Sequence, residues 1–143
     1  MEELIKQIEA WNEASEFSRG ISAIEAVPEA QRGYALTLWL GRLMSNLAVL
    51  GDHDRRAEKN GEPDWKLLRR SIAVLESIRE EGEKDPLWHS RIAYALRAVE
   101  DTRKALEHAR RWAELDPRDP DAGELVRSCQ EYLRETTKGK KKY

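Results

Sequence analysis

Cysteine occurs once in the 143 residues, at Cys129, so no disulfide can close within the chain. Glycine and proline are sparse, at eight and five. With so few breaks the chain must run in long regular elements. Val, Ile and Thr never alternate with polar residues over a strand's length, so sheet architectures find no support. No long apolar run occurs either. The nearest, Tyr34 to Leu50, is interrupted by Arg42, Ser45 and Asn46, so it reads as a core helix and no membrane span is expected. An excess of positive charge is also missing. The formal net charge is −2, which argues against a strong nucleic-acid binder. Met1-Glu2-Glu3 is acidic where a secretory leader opens with positive charge, so the expected location is cytoplasmic. No glycine-rich phosphate loop, Gly-x-Ser-x-Gly elbow or His-Glu-x-x-His pair is present. The expectation is a protein without catalytic activity, cofactor or metal.

What remains is a helix-forming composition. Charged residues make up 36% and hydrophobic residues 40%, and Ala, Leu, Glu, Arg and Lys dominate between the breaks. Apolar residues recur at helical spacing in seven stretches. Helices are predicted over Glu2 to Asn12, Ser15 to Val27, Glu29 to Leu50, Asp64 to Glu81, Asp85 to Val99, Thr102 to Leu115 and Asp119 to Glu135. The third carries Leu36, Leu40, Leu43, Leu47 and Leu50 as one stripe, widened by Tyr34, Leu38, Trp39, Met44 and Ala48. A helix apolar nearly all round is buried between neighbours. Asp64 is a plausible N-cap, and Asp85-Pro86 is a cap followed by proline at the first helical position. Residues 51–63 form a charged insert containing the turn signal Asn60-Gly61, with room for one short helical turn. Lys138 to Tyr143 is a basic tail predicted to be disordered. Without its four lysines the balance falls from −2 to −6, so the body is acidic.

Helix pairs that end at prolines suggest a repeat. From Pro86, the residues His89, Ile92, Ala93 and Leu96, then Ala105, Ala109 and Trp112, then Leu115 and Pro117, follow the roughly 34-residue tetratricopeptide pattern. A first unit from Met1 places Trp11, Phe17, Gly20, Ile21, Ile24 and Val27 on pattern positions, with Pro28 early. A middle unit from Tyr34 places Leu40, Gly41 and Met44, then Ser71, Leu75 and Ile78 after the insert. The chain thus resembles the tetratricopeptide repeat family over nearly its whole length, most closely in the third unit. Alanine stands for the usual glycine there, and Trp112 and Ala109 exchange large and small positions.

The resemblance implies an all-α fold, a right-handed superhelix of about three antiparallel helix pairs with a C-terminal capping helix. It implies one domain over 1–137, with units near 1–33, 34–85 and 86–118 and a cap at 119–135. It also implies a scaffold or adaptor that binds a protein or peptide. The groove-facing positions of the family fall here on Ile5, Glu9 and Asn12, on Leu38 and Arg42 with Asn46 beside them, and on Ser90, Tyr94 and Arg97. Ile5 and Glu9 stand where the chaperone-binding members carry lysine and asparagine, which argues against a chaperone-tail receptor. Arg42 and Arg97 are candidate anion contacts, because arginine binds carboxylates in a fork geometry. An extended or helical peptide is expected across Leu38, Arg42, Tyr94 and Arg97. The alternatives are a self-associating structural protein, or a nucleic-acid accessory using Lys140 to Lys142.

Other residues have plainer readings. Asp52-His53-Asp54 has metal-ligand chemistry, but three neighbours in a turn rarely converge on one ion, and a polar turn is expected. Cys129 lies on the inward face of its helix and is expected to pack as a small hydrophobe. The tryptophans, one in each of five helices, are expected mostly in the core. His89 is expected to pack and His108 to face solvent, with no triad partner for either.

Overall fold

The computed structural model describes residues 1–54 and 61–141. Among them the fold is all-helical, with no strand. Eight helices follow in order: α1 Glu2–Glu13, α2 Phe17–Glu25, α3 Gly33–Leu50, α4 Trp65–Glu76, α5 Arg79–Gly82, α6 Pro86–Ala98, α7 Thr102–Leu115 and α8 Pro120–Lys141. A 3₁₀ turn, Glu29–Gln31, precedes α3. The chain divides into two compact units, Met1–Ile78 and Arg79–Tyr143, where the sequence predicts one domain over 1–137. None of the helices is long and apolar enough to cross a membrane, among the described residues.

In the first unit, Ile8, Phe17, Ile21, Ile24, Leu36, Leu40, Leu43 and Met44 form one core. They come from α1, α2 and α3 at helical spacing, so each helix gives the core one stripe. Leu4, Ile5, Trp11 and Val27 close its edges. On α4, Leu68, Ser71 and Leu75 are buried, and Leu75 lies against Gly41 of α3. The missing side chain at Gly41 is what lets these helices approach. Gly20 plays the same part between α2 and Leu43.

In the second unit, α6 packs on α7 and α7 on α8. Trp88, Ile92, Ala93 and Ala95 of α6 meet Ala105, Leu106, Ala109 and Trp112 of α7, and Ala122, Leu125 and Cys129 of α8 are buried beside them. Small side chains let packed helices approach closely, and Trp88 and Trp112 supply the bulk of this core. Cys129 is buried, as its spacing predicts.

Helix starts follow their caps. The Asp64 side chain accepts from Leu67 N at 3.1 Å and Asp85 from Leu87 N at 2.9 Å, each satisfying an amide the helix leaves unpaired. Three boundaries differ from the sequence prediction. Gly33 adopts φ +68°, so the helix predicted from Glu29 begins at Gly33. The helix predicted over Asp64 to Glu81 is interrupted at Ser77 and Ile78. There the Ser77 amide is shared between the Ala73 and Val74 carbonyls and the Ile78 amide turns to Leu75, three residues back, and α5 follows as a separate single turn. The predicted disordered tail is helical in its backbone as far as Lys141. The predicted turn in residues 55–60, Asn60 of the turn signal, and Lys142 and Tyr143 lie outside the described residues.

Candidate functional site

The groove positions named by the resemblance fall in both compact units. In the first, Ile5 packs on the core edge, and Glu9 is exposed on α1. Asn12 and Asn46 join α1 to α3, with Asn46 Nδ2 donating to Asn12 Oδ1 at 2.9 Å. Leu38 is buried at 7% exposure. The Arg42 guanidinium stands 5.6 Å over the Trp39 ring, and burial lowers its pKa from the ordinary arginine value. Its position over an aromatic face is a favourable seat for a cation.

In the second unit, Ser90 is buried and its hydroxyl donates to the Leu87 carbonyl at 2.7 Å. Its side chain is used within its own helix. Arg97 is also engaged internally. Its Nη1 donates to Ser128 Oγ at 2.8 Å, and its guanidinium lies 5.8 Å over the Tyr132 ring. Both partners are on α8, so Arg97 ties α6 to that helix. Tyr94 differs from these. Half of its surface is exposed, at 50%, and its ring meets Trp112 edge-on at 5.9 Å. Its phenol pKa is raised, first by desolvation and then by the charges of Asp121, Asp119 and Glu124. Leu87, seven residues earlier on α6, is 44% exposed. Seven residues are two helical turns, so Leu87 and Tyr94 share a face.

No family model, curated protein or solved structure matches the chain.

The Asp52-His53-Asp54 segment has a structural task. The Asp52 carboxylate accepts from Ser18 N at 3.0 Å and from the Ser18 hydroxyl. His53 N donates to Ser15 O at 2.8 Å. The cap residue of α2, Glu16, gives no side-chain hydrogen bond, so Asp52 caps that helix from a distant part of the chain. Around it an open cleft of about 410 Å³ is lined by Ala14, Glu16, Arg19, Asp52, His53 and Asp54. Among the described residues no three His, Cys, Asp or Glu gather as a metal cluster. Asp52→Ala is expected to lower stability by about 1 kcal/mol, the ordinary worth of an N-terminal cap, read by urea denaturation. Ser18→Ala added to Asp52→Ala should cost little more, because the two share one interaction. Fully additive losses would rule out the cap.

The sequence predicts packing for His89 and solvent for His108. The first is buried, at 2% exposure. The second is not solvent-facing. Its Nδ1 lies 3.0 Å from His89 Nδ1, and both rings meet the edge of Trp88, at 4.9 Å and 5.4 Å. Two histidines 19 residues apart carry no pairing signal in sequence, since their meeting depends on the crossing register of α6 and α7. Ala93, Ala105 and Ala109 of these two helices are fully buried.

Proposed function

We propose that this chain is a tetratricopeptide-type helical-repeat module without catalysis, and that the exposed face of α6 holds a segment of a partner protein. The observation that carries the reading is the outward pair Leu87 and Tyr94 on a helix that buries seven other residues. Leucine and tyrosine left on one face offer an apolar anchor site, and aromatic side chains dominate interface energies. The repeat reading has its own support. Gly41 lies against Leu75 in the first unit, and Ala93 and Ala105, on pattern positions of the second, are fully buried.

The charge beside Tyr94 sets the partner's chemistry. Asp119, Asp121 and Glu124 act on its phenol. The arginine of the predicted groove in this unit, Arg97, is already bonded to α8. The segment that fits is therefore apolar with flanking lysine or arginine, rather than acidic.

A peptide array probed with the full chain tests this. Captured peptides should combine a large apolar residue with basic neighbours. Tyr94→Ala should weaken capture about tenfold or more, a loss of about 1–2 kcal/mol. Asp121→Asn should weaken it less and flatten its dependence on salt. Preference for acidic peptides, or capture indifferent to Tyr94, would remove the α6 face as the site. A chain that pairs with itself would instead show a doubled solution mass that Tyr94→Ala returns to one.

A further inference from the structure

His89 and His108 make a preorganised pair whose proton arrangement can be deduced. His89 Nε2 lies 2.9 Å from the Glu83 carbonyl. A carbonyl only accepts, so Nε2 carries the proton and Nδ1 carries a lone pair. That lone pair faces His108 Nδ1 at 3.0 Å, which must then donate when both rings are neutral. The rings stand with centroids 5.2 Å apart and planes at 37°.

We propose that His89 and His108 chelate a divalent transition-metal ion of the copper or zinc class through their two Nδ1 atoms. Metal–imidazole bonds are about 2.0 Å long, so two such nitrogens lie about 2.8 Å apart at a right angle and about 3.3 Å apart at the tetrahedral angle. The observed 3.0 Å falls inside that bite. Binding displaces the proton shared between the two Nδ1 atoms and turns both lone pairs toward the ion. His89 already has the outer support of a ligating histidine, its other ring N–H held by a backbone carbonyl. Trp88, fully buried, flanks both rings and fixes their planes. The Arg79 guanidinium lies 5.2 Å over the Trp88 ring.

His89 is nearly closed to solvent and His108 is half-buried, so the ion enters from the His108 side. Among the described residues no third His, Cys, Asp or Glu completes a set. The remaining coordination positions go to water, which makes the site open. Neutral nitrogen donors rank copper above zinc and leave magnesium unbound.

Titration of the full chain with Cu²⁺, Zn²⁺ and Mg²⁺, read by calorimetry and by histidine side-chain ¹H–¹⁵N spectra, tests the site. One ion per chain is expected, tightest for copper and absent for magnesium. The two Nδ1 resonances should shift while His89 Nε2 keeps its proton. His108→Gln, at the more exposed member, should fold and weaken binding at least about tenfold. His89→Gln should do the same, with circular dichroism confirming its fold. His53→Gln changes the one other histidine and should bind as the parent does. Absence of zinc and copper binding, binding unchanged in His108→Gln, or binding lost in His53→Gln would each overturn the site and leave the pair as a hydrogen bond alone.

Discussion

Trp88→Ala is expected to lower stability by about 3–5 kcal/mol, the usual loss on truncating a buried large aromatic. Trp88 has no exposed surface, and the space around it is defined on several sides. His89 and His108 meet its edge, and Arg79 stacks over its ring. Gly82 lies so close that a Cβ built there would stand 2.3 Å from the indole Cδ2. Truncation therefore leaves a hole bordered by a glycine, which has no side chain to fill it. Native stabilities are only about 5–15 kcal/mol, so the loss is a large share of the whole. Urea denaturation followed by circular dichroism would measure it. Trp88→Phe should fall between parent and alanine. Gly82→Ala approaches the same contact from the other side and should also destabilise, because the indole is enclosed and cannot swing away. A Trp88→Ala loss below about 1 kcal/mol would mean that the indole is not enclosed as described.

Much of the helical order is legible in sequence because its signals are local. Asp64 and Asp85 cap the helices they are predicted to cap, and of the predicted stripe of α3 Leu36, Leu40 and Leu43 are buried and Leu47 is partly so, while Leu50 at the helix end is exposed. Boundaries were lost where a backbone choice overrode composition. Gly33 takes a left-handed φ inside what reads as a continuous helix. Ser77 turns its hydroxyl back on the Val74 carbonyl, and such back-bonding competes with helix continuation. The tail shows the opposite error. Charge predicts disorder there, yet the backbone of α8 continues helically to Lys141 through Thr136, Thr137 and Gly139, residues of low helix propensity.

Site residues were less legible, because their roles depend on contacts distant in sequence. Asp52 reads as part of a polar turn, and its partner Ser18 lies 34 residues away in sequence. Arg97 reads as a free anion contact until Ser128 and Tyr132 take its guanidinium. The histidine pair joins α6 to α7 across 19 residues of sequence. Tyr94 was legible as a surface residue from the repeat position alone. The acidic surroundings that set its chemistry come from α8 and the turn before it, which no pattern position specifies.

Gly41→Val should cost about 3 kcal/mol, although replacing a mid-helix glycine normally helps. Relief of glycine's conformational entropy favours the substitution by under about 1 kcal/mol. Against it stands the crossing of α3 and α4. A Cβ at position 41 would lie 2.5 Å from both Leu75 Cγ and Cδ2. Cγ is the branch point of that side chain, so a terminal rotation cannot clear the clash. Leu75 is itself fully buried, so either the helices separate or the leucine leaves its rotamer, and overpacking of this kind costs about 1–3 kcal/mol before the second γ-methyl of valine is added. Leu75→Ala alone should cost about 2–5 kcal/mol by opening a cavity. In the double variant the valine grows into the space the leucine vacated, so the combined loss should fall short of the sum by at least about 1 kcal/mol. That shortfall, read from the four urea midpoints, isolates the close approach itself. Additive losses would mean that α3 and α4 stand further apart than a glycine crossing requires, and the small residue that places Gly41 on the repeat pattern would have lost its physical reason.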